Sequence, residues 1–261
     1  MILDKIVAAT KTRVEEAKFQ KSLEETRQEA VSSPRRGIFP FEKALKKDGI
    51  SFICEIKKAS PSKGIISNDF KYIETAKEYE EGGADAISVL TEPDFFMGKD
   101  QYLTEIKKNV NTPLLRKDFI IDSYQIFEAK NIGASAILLI CAILDFDTLK
   151  EFMKISYTLG LSCLVETHDE KEIETALNAG ARIIGVNNRN LKNFEVDINN
   201  SVKLRKLVPD DKIFVSESGI KTKEDIDILR WHKADAVLIG EELMKSGDIK
   251  RKISELKGLR G

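Results

Sequence analysis

Four stretches of the chain align without a gap: 82–90 "GGADAISVL", 132–140 "IGASAILLI", 179–187 "AGARIIGVN" and 232–240 "HKADAVLIG". In three of the four, a glycine suited to the left-handed turn that ends a helix precedes an alanine and a short apolar run. The runs begin at 84, 134, 181 and 234, about fifty residues apart, which is the length of two strand–helix pairs. Between them lie four more runs of strand type: 51–57 "SFICEIK", 113–119 "PLLRKDF", 161–167 "LSCLVET" and 212–218 "KIFVSES". Stretches of helical period separate the runs, among them 68–82 "NDFKYIETAKEYEEG" and 169–180 "DEKEIETALNAG". Eight strands alternating with helices require a parallel sheet covered by helices. Four double units of this size predict an α/β fold, a (β/α)8 TIM barrel. A doubly wound open sheet is the runner-up, but no strand is followed by a GxGxxG turn. Residues 1–45 read as a charged, helical N-terminal extension ending near 32–37 "SSPRRG". The expectation is a single barrel domain over 1–261 with that extension inside it.

Composition narrows the function classes. The chain has 261 residues, and its 33% charged share exceeds the usual quarter, which implies many exposed Lys- and Glu-rich helix faces. A net charge of −1 gives no global attraction to nucleic acid or to an anionic membrane. No apolar run reaches the length of a membrane span, and 1–20 "MILDKIVAATKTRVEEAKFQ" lacks the basic-then-apolar pattern of a signal peptide. Cys54, Cys141 and Cys163 lie far apart in apolar segments and read as three buried, reduced thiols. A cytoplasmic protein is expected, with no nucleic-acid or membrane partner, acting as a monomer.

In a barrel, chemistry sits at the C-terminal rim, so the strand ends carry the functional reading. Strand 1 ends Glu55-x-Lys57, a spacing that puts both side chains on one face. Strand 3 places Lys117 and Phe119 in step, strand 5 Glu166 and His168, and strand 6 Asn187 and Arg189. Strand 7 ends Glu217-Ser218-Gly219. One such lysine would merely reach solvent, and one such glutamate could cap a helix. Three glutamates against Lys57, Lys117 and Arg189 on one rim would instead offset each other's desolvation and separate their pKa values. That combination reads as an acid–base site.

The turns after strands 7 and 8, 216–225 "SESGIKTKED" and 238–244 "LIGEELM", offer glycines and backbone N–H groups at helix starts, where phosphate binds. Glu241 must point away from any phosphate held there. Phe95 and Phe96 fall in a loop at the same rim, either as half-exposed packing or covering an aromatic ligand. Only two histidines occur, with no HExxH or Cys/His cluster, so no metal site is expected. His232, beside Trp231 near a helix end, reads as capping or packing.

The ordered segments "EIKKASPSKG", "SVLTE", "RKDFI", "LVETH", "GVNNRNL", "SESGI" and "LIGEELM" resemble the indole-3-glycerol-phosphate synthase family of tryptophan biosynthesis over roughly 50–245. The resemblance implies a carboxy-lyase without cofactor or metal, acting on a small phosphorylated substrate, 1-(2-carboxyphenylamino)-1-deoxyribulose 5-phosphate. It implies Lys117 as the acid that protonates the ketone during ring closure, and Lys57 with Glu166 as acid and base for dehydration. Glu55, Asn187 and Glu217 would support them, and Arg189 would face the anionic groups of the substrate. Ser60, Ser218, Gly219 and Gly240, with Glu241 beside them, would receive the phosphate, and Phe96, Phe119 and Leu138 would enclose the anthranilate ring. Gly64 would let the first loop move as the site closes. Two other readings remain beside it. One is a Schiff-base aldolase or isomerase acting on a sugar phosphate, and the other is a silent barrel serving as an interaction module.

Overall fold

The computed structural model describes residues 2–33, 39–67, 69–190 and 194–259. Most of the "SSPRRG" segment lies outside them, as do Asn68 and Leu191. Eight parallel strands close into a barrel: β1 Ser51–Ile56, β2 Ala86–Leu90, β3 Leu114–Lys117, β4 Ala136–Ile140, β5 Ser162–Thr167, β6 Ile183–Asn187, β7 Ile213–Glu217 and β8 Ala236–Ile239. Each strand pairs with its neighbours in sequence, and β1 closes the ring on β8 with Ser51 opposite Ala236. The fold is the (β/α)8 barrel read from the repeat. Three helices precede the barrel: α1 Ile2–Gln20, α2 Leu23–Ser32 and α3 Pro40–Leu45. Around and above it run α4 Tyr72–Glu81, α5 Pro93–Phe96, α6 Asp100–Asn109, α7 Ser123–Asn131, α8 Phe146–Thr158 and α9 Glu170–Ala179. The series ends with α10 Asn199–Arg205, α11 Lys223–Trp231, α12 Glu241–Met244 and α13 Ile249–Lys257. None of the described helices is long and apolar enough to cross a membrane.

Each element of the repeat has a physical job. Gly83, Gly133 and Gly180 have φ of +79°, +95° and +97°, the left-handed turn that only glycine adopts at no steric cost. The fourth copy places Lys233 there at φ +58°. The aspartates of two copies stitch the barrel base, since Asp85 accepts the Phe52 N–H at 2.8 Å and Asp235 accepts the Phe214 N–H at 2.7 Å. The small Ala86, Ala136 and Ala236 face the barrel interior, in one apolar cluster with Phe41 and Leu45 of α3. Alanine there leaves room for α3 to plug the base. Arg182 braces the plug, stacked 3.9 Å from both the Phe39 and Tyr157 rings and 3.0 Å from the Glu42 carboxylate.

Above the plug, period-two alternation sorts the side chains. Phe52, Cys54 and Ile56 face the helices, while Ile53 faces the interior with Leu115, Leu164 and Val215. Cys54 and Cys163 are buried, but Cys141 is only half-buried because it opens the 3-10 turn Cys141–Ile143 after β4. Phe41 is wholly buried, so Phe41→Ala should cost about 3–5 kcal/mol of stability, read by urea unfolding.

Candidate active site

Two residues above Ile53, Leu115, Leu164 and Val215, on the same four strands, stand Glu55, Lys117, Glu166 and Glu217. Apolar packing below therefore fixes where these charged side chains point. Glu55, Glu166 and Glu217 are buried, and Lys117 is nearly so. The Lys117 Nζ lies 3.5 Å from Glu166 Oε2 and 3.8 Å from Glu217 Oε2. Lys57, just beyond β1, donates to Glu55 Oε1. Adjacent strands make room with glycine: a Cβ on Gly185 would lie 2.2 Å from Glu217 Oε1, and one on Gly240 would lie 2.6 Å from Glu55 Oε1.

Burial and mutual charge set the protonation states. Burial pulls the Lys117 ammonium down, but Glu166, Glu217 and Glu55 outweigh it and hold Lys117 above the ordinary lysine value. Burial, seconded by the Glu166 carboxylate, pushes the Glu217 carboxyl up to about 8 against the pull of Lys117. Glu217 Oε1 has no hydrogen-bond partner among the described residues. Burial opposes ionisation of Glu55, yet Lys57 and Lys117 prevail and hold it below the ordinary value.

A cavity of about 440 Å³ opens above this tier. Fifteen of the residues named from the sequence line it: Lys117, Lys57, Glu166, Glu55, Asn187 and Glu217 together with Arg189, Ser60, Ser218, Gly219, Gly240, Glu241, Phe96, Phe119 and Leu138, whereas Phe95, His168 and Gly64 are not among the lining residues. The Phe96 and Phe119 rings stand 5.9 Å apart with planes inclined by 35°, on the side of the cavity served by β2 and β3. On the opposite side, Ser218 and Gly219 turn through φ of +68° and +86°. A Cβ on Gly219 would meet Val196 Cγ1 at 2.5 Å, so this glycine also admits the loop carrying Arg189, which bridges Val196. Asn187 Oδ1 accepts the Arg189 N–H at 3.0 Å, and Arg189 Nη1 donates to the Phe194 carbonyl at 3.3 Å. Glu241 is turned onto Lys245 at 2.6 Å and faces Lys63 at 3.8 Å.

Local structure departs from the sequence reading in two places. Phe95 and Phe96 belong to the short helix α5, because the buried Glu92 carboxylate accepts the N–H groups of Asp94, Phe95 and Phe96. The Ser218–Gly219 turn does not itself start a helix, since Ile220–Thr222 separate it from α11, which Thr222 and Asp225 cap. His232 forms the C-cap of α11.

Sequence reasoning missed the role of α1. Ile2, Leu3 and Ile6 line the cavity, and Arg13 ties α1 to both aromatic loops. Its guanidinium is 2.9 Å from Asp118 Oδ1 and 3.3 Å from Glu92 Oε1. Asp118 in turn accepts the Thr91 hydroxyl at 2.6 Å and the Phe119 N–H at 2.8 Å. No local signal marks Arg13, whose partners lie 79 and 105 residues away. Among the described residues no group of three or more His, Cys, Asp or Glu side chains is placed to hold a metal ion.

A closed barrel with paired lysines and glutamates at its C-terminal mouth defines a (β/α)8-barrel enzyme of the acid–base class. The family model for indole-3-glycerol phosphate synthase matches residues 3–256. The chain is 66% identical to the indole-3-glycerol phosphate synthase of Endomicrobium trichonymphae, over 98% of this chain and 100% of that protein. It is 61% identical to that of Ruminiclostridium cellulolyticum, over 99% of each. It belongs to the indole-3-glycerol phosphate synthase family. The barrel is also similar to 3-hexulose-6-phosphate synthase from Salmonella typhimurium, with a TM-score of 0.66 at 13% identity over 80% of this chain and 97% of that one, a likeness of fold alone.

Two outcomes test the geometry. Gly185→Ala should displace Glu217 and lower turnover by about 10²-fold, the effect of a ~1 Å misplacement, with an unchanged circular dichroism spectrum. Because the folded carboxyl of Glu217 titrates near 8 and an unfolded one near 4.3, the native state binds the extra proton between those values. Stability should therefore fall as pH rises from about 5 to 8, and Glu217→Gln should lack that component in urea unfolding followed across the range.

Proposed function

We propose that the cavity converts 1-(2-carboxyphenylamino)-1-deoxyribulose 5-phosphate into indole-3-glycerol phosphate, carbon dioxide and water, and that the cavity-lining residues divide the work as follows. The carboxylate-bearing ring carbon attacks the ketone, and Lys117 gives its proton to the developing alkoxide. Attack breaks aromaticity, and loss of carbon dioxide returns the bonding pair to the ring. Lys57 then protonates the departing hydroxyl while Glu166 takes a proton from the substrate. Glu55 holds and orients the Lys57 ammonium, and Asn187 and Glu217 support the reacting groups. Phe96, Phe119 and Leu138 enclose the anthranilate ring, and Arg189 faces the anionic groups of the substrate. Ser60 and the backbone around Ser218, Gly219 and Gly240 receive the phosphate, with Glu241 turned aside onto Lys245.

The observation that carries this reading is Lys117 between Glu166 and Glu217, held charged and within reach of the cavity. An ammonium kept in that state can give a proton to an alkoxide, but it is ill-suited to attack a carbonyl as a free amine. That favours acid–base chemistry over a Schiff-base aldolase. We further read 1–261 as one domain, monomeric and cytoplasmic, in which 1–45 helps wall the site. The cavity-lining residues of α1 and the unbridged thiols support this.

The test is fluorescence of the indole product from the named substrate with no metal added. Lys117→Ala should reduce turnover by at least ~10²-fold, and borohydride should trap no adduct on Lys117. A near-full rate in that variant would refute the assignment.

A further inference from the structure

His168 lies two residues beyond Glu166, and α9 reaches back to it. One Glu172 oxygen accepts the His168 backbone N–H at 2.8 Å and stands 3.0 Å from His168 Nδ1. A carboxylate can only accept, so Nδ1 carries a hydrogen. The other ring nitrogen, Nε2, is buried, has no hydrogen bond among the described residues, and faces Glu166 Oε1 at 3.4 Å. If Nε2 were a bare lone pair, it would repel an ionised Glu166 at a buried position where the two atoms face each other directly. One proton between Nε2 and Oε1 removes that conflict.

We infer that His168 is a positioning residue for Glu166: its imidazolium, anchored by Glu172, shares a proton with Glu166 and holds that carboxylate aimed at the cavity. The inference rests on the reading of Glu166 as the dehydration base. Glu166 Oε2 faces Lys117, so the base is gripped on both oxygens by cations.

The groups facing the ring are Glu166 of β5, Glu172 of α9 and Glu217 of β7. Asn200 of α10 donates to the His168 carbonyl at 3.3 Å, and the Cys141 thiol lies on the Glu172 carbonyl at 3.7 Å. Burial pulls the imidazolium down, but the Glu172 bond and the charges of Glu166 and Glu172 outweigh it and raise His168 above the ordinary value. The grip is therefore complete at low pH and is released as pH rises through that raised value, which predicts an alkaline fall in kcat/KM.

The chain has two histidines, so ring signals in a nitrogen–proton NMR titration are assigned with His232→Asn. His168 should titrate above the ~6.5 of an unperturbed ring, and its midpoint should drop in Glu166→Gln and in Glu172→Gln. A midpoint at or below that value, or one unmoved by both variants, overturns the inference. His168→Gln, a neutral donor at every pH, should lack the alkaline limb that the natural protein shows in kcat/KM. Superimposable profiles would equally overturn it. If the natural protein makes no indole product, the proposed reaction fails, while the titration still decides whether His168 and Glu166 share a proton.

Discussion

Lys117 wedged between Glu166 and Glu217 is the interaction on which the rest of the mouth depends. An ammonium at this depth is costly unless carboxylates meet it, and carboxylates at this depth are costly unless a cation meets them. The four odd-numbered strands supply one tier of the barrel, as the fold's layered interior prescribes, and here the tier is Glu55, Lys117, Glu166 and Glu217. With Glu217 neutral, the charges of Glu55 and Glu166 balance those of Lys117 and Lys57. Burial, seconded by the crowding of three carboxyls around two ammonium groups, is what raises Glu217. The even strands and their ends contribute space, since Gly185 of β6 and Gly240, just past β8, lie where a Cβ would strike Glu217 and Glu55. Charge and emptiness alternate around the ring.

The tier can be rigid because the tier beneath it is apolar and buried. Ile53, Leu115, Leu164 and Val215 pack into the interior cluster below, and Phe41 and Leu45 close the base. A slip of one residue in any of these strands would turn its charged group out among the helices and bring an apolar one into the mouth. The energy that fixes register is apolar, although what it fixes is polar.

The barrel was legible in the sequence because its signals are local. Alternation along a strand, a left-handed glycine before it, and glutamate and lysine two residues apart can all be read within ten residues. The rim residues followed from the same alternation. Contacts between distant segments left no such mark. Arg13 meets Glu92 and Asp118 only after α1 has folded across the mouth, and Glu92 gives no hint in "SVLTEPD" that it will cap α5. Gly185 looks like any strand glycine until Glu217 is seen above it. His168 was seen in step with Glu166, but the orientation of its ring is set by Glu172 from the following helix.

The pairing of both catalytic-site lysines has a consequence for how an anionic substrate is received. Lys57 is engaged by Glu55, and Lys117 by Glu166 and Glu217, so neither offers an unbalanced positive charge to a phosphate. Attraction must come from elsewhere on the cavity wall. Lys221 and Arg189, two residues beyond Gly219 and Asn187, also line it. Under the proposed function, the anionic end of a phosphorylated, aromatic substrate would lie among those cations and its ring against Phe96 and Phe119 before any proton moves. On that reading binding and chemistry draw on different charges, and the acid–base tier keeps its internal balance while the substrate is drawn in.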